Sequence, residues 1–118
     1  MNWKRMKFLL NRLPMARIRV DRAARQAAWG SESDLRLLET AREGYRALRK
    51  ELEALREEAR PAIEALERPI EREVMTLRYL RGLTVREIAY RVGYSDVHTF
   101  RLIAQAEKRI SASSTERK

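Results

Sequence analysis

The sequence predicts an all-α chain: a long helical pair, joined as a hairpin or running as a coiled coil, then a C-terminal helix-turn-helix. Three observations carry this. Four glycines and three prolines in 118 residues leave little turn material for a sheet, and strand-like alternation is scarce. From Leu38 to Leu66 apolar residues recur at alternating three- and four-residue spacings without a slip. From Gly82 to Ile110, in GLTVREIAYRVGYSDVHTFRLIAQAEKRI, caps and breaks fall in register with two short apolar faces.

The N-terminal thirty residues are basic and helical in pattern. Trp3, Met6, Leu10 and Leu13 make one apolar stripe, and Pro14 should break or kink the helix that carries it. A second piece, about 16–29, is rich in Arg and Ala. Gly30 to Asp34 is a stop and restart, with Ser31 or Ser33 as the next N-cap. The long seam follows: Leu38, Ala41, Tyr45, Leu48, Leu52, Leu55, Ala59, Ala62 and Leu66, with mostly charged residues and alanine between. A helix over 31–60 would be about 45 Å long, and its stripe must be buried somewhere. Two arrangements are open, an antiparallel hairpin with the first thirty residues and a homodimer through the 38–66 seam. The thin positions at Ala41, Ala59 and Ala62 and the ready apolar partner at the N-terminus favour the hairpin. Pro61 either kinks this helix or opens the next one. Pro69 opens a helix to Arg81, with Glu71 and Glu73 in its first turn complementing the dipole. Val74, Leu77, Tyr79 and Leu80 should cover the final helical pair.

That pair is the most heavily signalled part of the chain. Thr84 and Glu87 have the spacing of a capping box, in which each side chain satisfies a free backbone N–H. Ile88, Ala89 and Val92 form a short apolar face, with Ala89 where the two helices cross. Gly93 ends the first helix, where a left-handed turn costs a glycine little. Ser95 can cap the second helix, and Asp96 suits its positive end. Tyr94 should anchor the turn from the core. The domains expected are therefore 1–67, a helical hairpin or coiled coil, and 68–110, a helix-turn-helix, with 111–118 a flexible tail.

Composition narrows the function. There is no cysteine, which excludes disulfides and thiolate metal sites, and His98 is the single histidine. No cofactor is expected. No apolar run approaches the roughly 20 residues that span a bilayer, and Phe8-Leu9-Leu10 is too short for a signal-peptide core. A cytoplasmic location is expected, in a bacterial host cell. The net charge of +9 is uneven: 8 basic and 1 acidic residues in 1–30, 8 and 10 in 31–69, 8 and 5 in 70–110. A basic chain of this size is drawn to polyanions, with binding weakened by salt. A helix-turn-helix on such a chain places its second helix in the DNA major groove. No catalytic constellation is present. The acidic residues of 31–67 are interleaved with arginines as on a solvated helix face, so an enzyme is not expected.

From Glu64 to Ile110 the chain resembles the last conserved region of sigma-70-type factors. It is closer still to small phage regulators, the ArpU-like late-gene activators and their relatives. The residues that carry the resemblance are L-x-x-P-x-E-R at Leu66 to Arg72 and R-Y-L-x-G at Arg78 to Gly82. E-I-A at Glu87 to Ala89, G-Y-S at Gly93 to Ser95 and H-x-aromatic-R at His98 to Arg101 complete the set. The resemblance covers 64–110 and implies a sequence-specific transcription regulator of phage or prophage type. Three positions depart from the pattern. Asp96-Val97 stands where several relatives carry basic residues, and Thr99 where a larger β-branched residue is usual.

On the second helix Thr99, Leu102, Ile103, Ala106 and Ile110 share the inward face. Ser95, Asp96, Val97, His98, Phe100, Arg101 and Gln105 are left to face double-stranded DNA. Arg101 is the first choice for a base contact, since its fork matches guanine O6 and N7, and a surface salt bridge is its alternative. His98 is either a donor to base or phosphate or an ordinary surface histidine. Phe100 either meets a thymine methyl or sugar or extends the core. Asp96 either caps the helix or accepts from a cytosine amino group. Arg86 and Arg91 lie on the helix that should cross the phosphates. Two other readings fit the same sequence: a regulator that docks on RNA polymerase with little DNA contact, and a DNA-packaging protein like a small terminase subunit. The packaging reading ranks lower because its DNA-binding part commonly comes first.

Overall fold

The computed structural model describes the backbone of residues 1–116 and the side chains of 1–112. It is all-helical, with no strand among the described residues. Five α-helices follow in order: α1 Trp3–Ala27, α2 Glu32–Glu64, α3 Pro69–Met75, α4 Val85–Val92 and α5 Asp96–Glu116. A π-helical turn, Thr76–Leu80, extends α3. The chain divides into two compact units, 2–55 and 56 onward, the second also counting Met1. Sequence reading places the division at 67/68. It falls earlier because the last turns of α2 carry Ala59 and Ile63, both fully buried, and Arg56, whose Nε donates to the Tyr79 carbonyl at 2.7 Å.

In the unit 2–55, α1 begins at an Asn2 cap, whose side chain accepts from the Arg5 N–H at 3.0 Å. Trp3, Met6 and Leu9 are buried on α1, and Leu38 and Leu52 on α2. Leu9 takes the place the sequence reading gave to Leu10. The Arg5 guanidinium meets both oxygens of Glu51, 2.5 and 2.6 Å away, across 46 residues of chain. That pairing raises the Arg5 pKa and lowers that of Glu51, the hydrogen bond being the largest cause in each. Ser31, not Ser33, precedes α2, and its N–H donates to the Asp34 carboxylate at 3.0 Å.

Neither proline inside these helices stops them. Pro14 lies within α1 and Pro61 within α2. Each removes one backbone donor, but both sit on exposed faces where water can take the freed carbonyl, and flanking turns supply the remaining bonds. The break expected at Pro14 is thus absent. All nine seam positions of 38–66 are buried or half-buried.

In the unit from 56 onward, α3 opens at Pro69 and α5 packs along it and along α4. Val74, Met75, Leu77 and Tyr79 are buried. At the π-turn the Arg81 N–H reaches the Thr76 carbonyl, five residues back, at 3.0 Å. Tyr79 donates its hydroxyl to Glu107 at 2.5 Å, and burial, then that bond, push its pKa upward. Glu71 is fully buried. The Arg109 Nε lies 3.0 Å from its Oε1 and 3.1 Å from its Oε2, with Arg68 at 3.8 Å. Helix α5 runs to Glu116, past the expected end at Ile110. The part of the tail expected at 117–118 lies outside the described residues.

Candidate nucleic-acid interface

The candidate surface is built around the turn between α4 and α5. Thr84 is extended, at φ −73° and ψ 159°, so its side chain can face the first turn of α4. Its Oγ1 accepts from the Glu87 N–H at 3.2 Å, and the Glu87 carboxylate accepts from the Thr84 N–H at 3.0 Å. The capping box is complete. These bonds hold the Glu87 carboxyl below the usual carboxylate range, the bond from the Thr84 backbone most of all. Gly93 sits at φ 78°, in the left-handed region, and its N–H closes on the Ala89 carbonyl at 2.9 Å. The Tyr94 N–H reaches the same carbonyl at 3.2 Å. Ser95 then caps α5, its Oγ accepting from the His98 N–H at 3.1 Å.

Ile88 and Ala89 of α4 are buried, as are Thr99, Ile103, Ala106 and Ile110 of α5, and Leu102 is half-buried. The inward face is therefore the one the periodicity gives. Every residue assigned to the outer face is exposed: Ser95, Asp96, Val97, His98, Phe100, Arg101 and Gln105 on α5, and Arg86 and Arg91 on α4. Phe100 is 59% exposed and does not extend the core. Arg101 has no ion pair among the described residues, so the salt-bridge alternative has no partner there. Arg86 is likewise unpaired, whereas Arg91 acts on Glu87 and helps lower its pKa.

Tyr94 is a correction. It is 44% exposed, not a core anchor, and its ring stands edge-on to His98, with centroids 4.7 Å apart and planes at 85°. The buried side of this helical pair is filled instead by Ile88, Ala89, Thr99 and Ile103. His98 is therefore not a lone surface histidine, since one side of its ring is held by Tyr94. Sequence reasoning missed Tyr90, which is 91% exposed and shares a cleft on α4 with Leu83, Thr84, Arg86, Glu87 and Arg91. Its position, next to the buried Ala89 and outside the Ile88–Val92 face, was the available signal.

No group of three or more metal-ligating side chains occurs among the described residues. No described helix is long and apolar enough to cross a membrane. Searches among protein-family models, curated proteins and solved structures find no match for this chain.

Proposed function

We propose that the protein is a sequence-specific transcription regulator of phage or prophage type that binds double-stranded DNA in the cytoplasm of a bacterial host. In this reading α4, the Gly93 turn and α5 form a helix-turn-helix resembling the last region of sigma-70-type factors. Helix α5 enters the major groove and α4 crosses the phosphates. The observation that carries it is the outer face of α5 and its cap: seven exposed side chains between Ser95 and Gln105, among them an Arg101 with no ion pair in the described chain. No chemistry beyond binding is needed, and we read the protein as a non-enzyme.

The N-terminal half is read as a helical hairpin, supported within the unit 2–55 by the Arg5–Glu51 pair and by the buried Leu38 and Leu52. That burial weighs against a homodimer through 38–66.

Arg101 and Arg86 separate base reading from phosphate binding. Arg101→Ala should cost about 1–3 kcal/mol on a selected duplex and relax preference at one base position. Arg86→Ala should weaken all duplexes alike and make the salt slope shallower by roughly one unit. Binding to a selected and a scrambled duplex across a salt series reads both effects.

Docking on RNA polymerase is the second reading, favoured by the bare Tyr90 ring on α4 and by Asp96 at the start of α5. Polymerase subunits recovered from host lysate after nuclease treatment, with DNA binding insensitive to both arginine substitutions, would replace the first reading by this one.

A further inference from the structure

Two large apolar side chains stand on the outer face of α5, each more than half exposed. Val97 is 61% exposed and Phe100 is 59% exposed. They fall one helical turn apart, on the first two turns, where a recognition helix meets base edges. The core does not need them, because Thr99, Ile103, Ala106 and Ile110 already fill the inward face. Their neighbours set the kind of partner. Arg101 lies one turn beyond Val97 and has no partner within the described chain, and Arg86 is exposed and unpaired on α4. Of the two acidic side chains nearby, Glu87 is held in the capping box and Asp96 lies at the positive end of α5. An apolar pair flanked by free guanidinium groups suits a polyanion that carries apolar groups at a fixed depth. The major groove of DNA has one such group, the 5-methyl of thymine.

We infer that Val97 and Phe100 read thymine 5-methyl groups beside the guanine taken by Arg101, so that the bound site is a thymine-containing step next to a G·C pair. This inference rests on the DNA-binding reading above and specifies the ligand of that surface. One turn of helix separates Val97 from Phe100 and Arg101, so the three address adjacent base pairs.

The test uses the full chain and a duplex selected from a random pool. Each thymine in the selected site is replaced in turn by deoxyuridine, which removes the methyl and keeps the base pairing. Binding is followed by fluorescence anisotropy at fixed salt. One or two positions should lose about fourfold in affinity each, the equivalent of ~0.8 kcal/mol per buried methyl. Thymines outside the site should show no change. Val97→Ala and Phe100→Ala should each erase the thymine–uracil difference at one position, with the helical circular dichroism signal retained. Tight duplex binding that is indifferent to every thymine–uracil exchange would overturn the inference while leaving the DNA-binding reading intact. Absence of binding to any duplex at low salt would remove both. Loss of polymerase association on Val97→Ala or Phe100→Ala, with duplex binding unchanged, would assign the apolar pair to a protein partner and overturn the inference as well.

Discussion

Thr99→Val should stabilise the protein. Thr99 is fully buried on the first turn of α5, and its Oγ1 has no hydrogen-bond partner among the described residues. Its backbone N–H is satisfied by the Ser95 carbonyl at 2.9 Å, so only the hydroxyl is at issue. A buried hydroxyl without a partner costs about 1–3 kcal/mol by protein mutational data. Valine has the same shape, replaces the hydroxyl by a methyl and has nearly the same helix propensity as threonine, so propensity cancels. A net gain of about 1–2 kcal/mol is expected, with Tm rising by roughly 4–8 °C per kcal/mol for a unit of this size. Thr99→Ser isolates the other half of the side chain: it keeps the hydroxyl, loses a buried methyl and should cost about 1 kcal/mol. Thermal and urea melts of the three proteins, followed by far-ultraviolet circular dichroism, give the order Val, Thr, Ser. A valine variant less stable than the parent would show that the hydroxyl is bonded and refute the reasoning. DNA affinity should not change, because the side chain faces inward.

The Gly93 turn should respond to backbone conformation alone: no atom lies within 4 Å of an added Cβ, so Gly93→Ala costs about 1–2 kcal/mol and Gly93→Val more. Equal melts for alanine and glycine would argue against the left-handed turn. Arg109→Ala leaves the buried Glu71 carboxylate with only the longer Arg68 contact at 3.8 Å and should cost about 2–4 kcal/mol, below the fully buried range because the Arg109 side chain is 46% exposed. Glu71→Gln, which removes the charge and leaves Arg109 free to hydrate, should cost less, and the reverse order in urea titrations would contradict this account. Glu87 is more acidic in the folded protein than in the unfolded chain, so its contribution to stability is present above the ordinary carboxylate range and is lost as pH falls through its lowered pKa. Glu87→Gln should flatten that acid limb of the stability profile. Leu52→Ala, at a buried position on α2, should cost about 2–5 kcal/mol, and a negligible change would deny that α1 and α2 share a core in the unit 2–55.

The parts of the chain that were legible are those governed by short-range chemistry. Thr84, Glu87, Gly93 and Ser95 act within four residues of themselves, so spacing alone places the caps and the turn. The inward set of α5 follows from helical periodicity for the same reason. Longer-range features were not readable. Glu71 reads as a first-turn complement to the α3 dipole, yet it is buried against Arg109, a pairing 38 residues apart that no local pattern encodes. Pro14 and Pro61 each read as a kink or a break, and α1 and α2 run through them, because a long helix with many bonds on either side absorbs one lost donor. Tyr94 reads as the core anchor of the turn, whereas its ring stands against His98 on the exposed side, a contact four residues away that no apolar pattern marks. The early division of the chain was hidden because it falls inside one helix, where composition does not shift.

The π-turn at Thr76–Leu80 means that this stretch holds one residue more than an α-helical path between the same ends would require. Loss of a single residue there could be absorbed by closing the wide turn into ordinary i→i+4 bonds. The same loss in α5 would rotate every later side chain by about 100° and carry core-facing positions toward the exposed side. This short segment is thus the place where the chain could change length over evolutionary time, or be trimmed by design, without rewriting the surface that follows it.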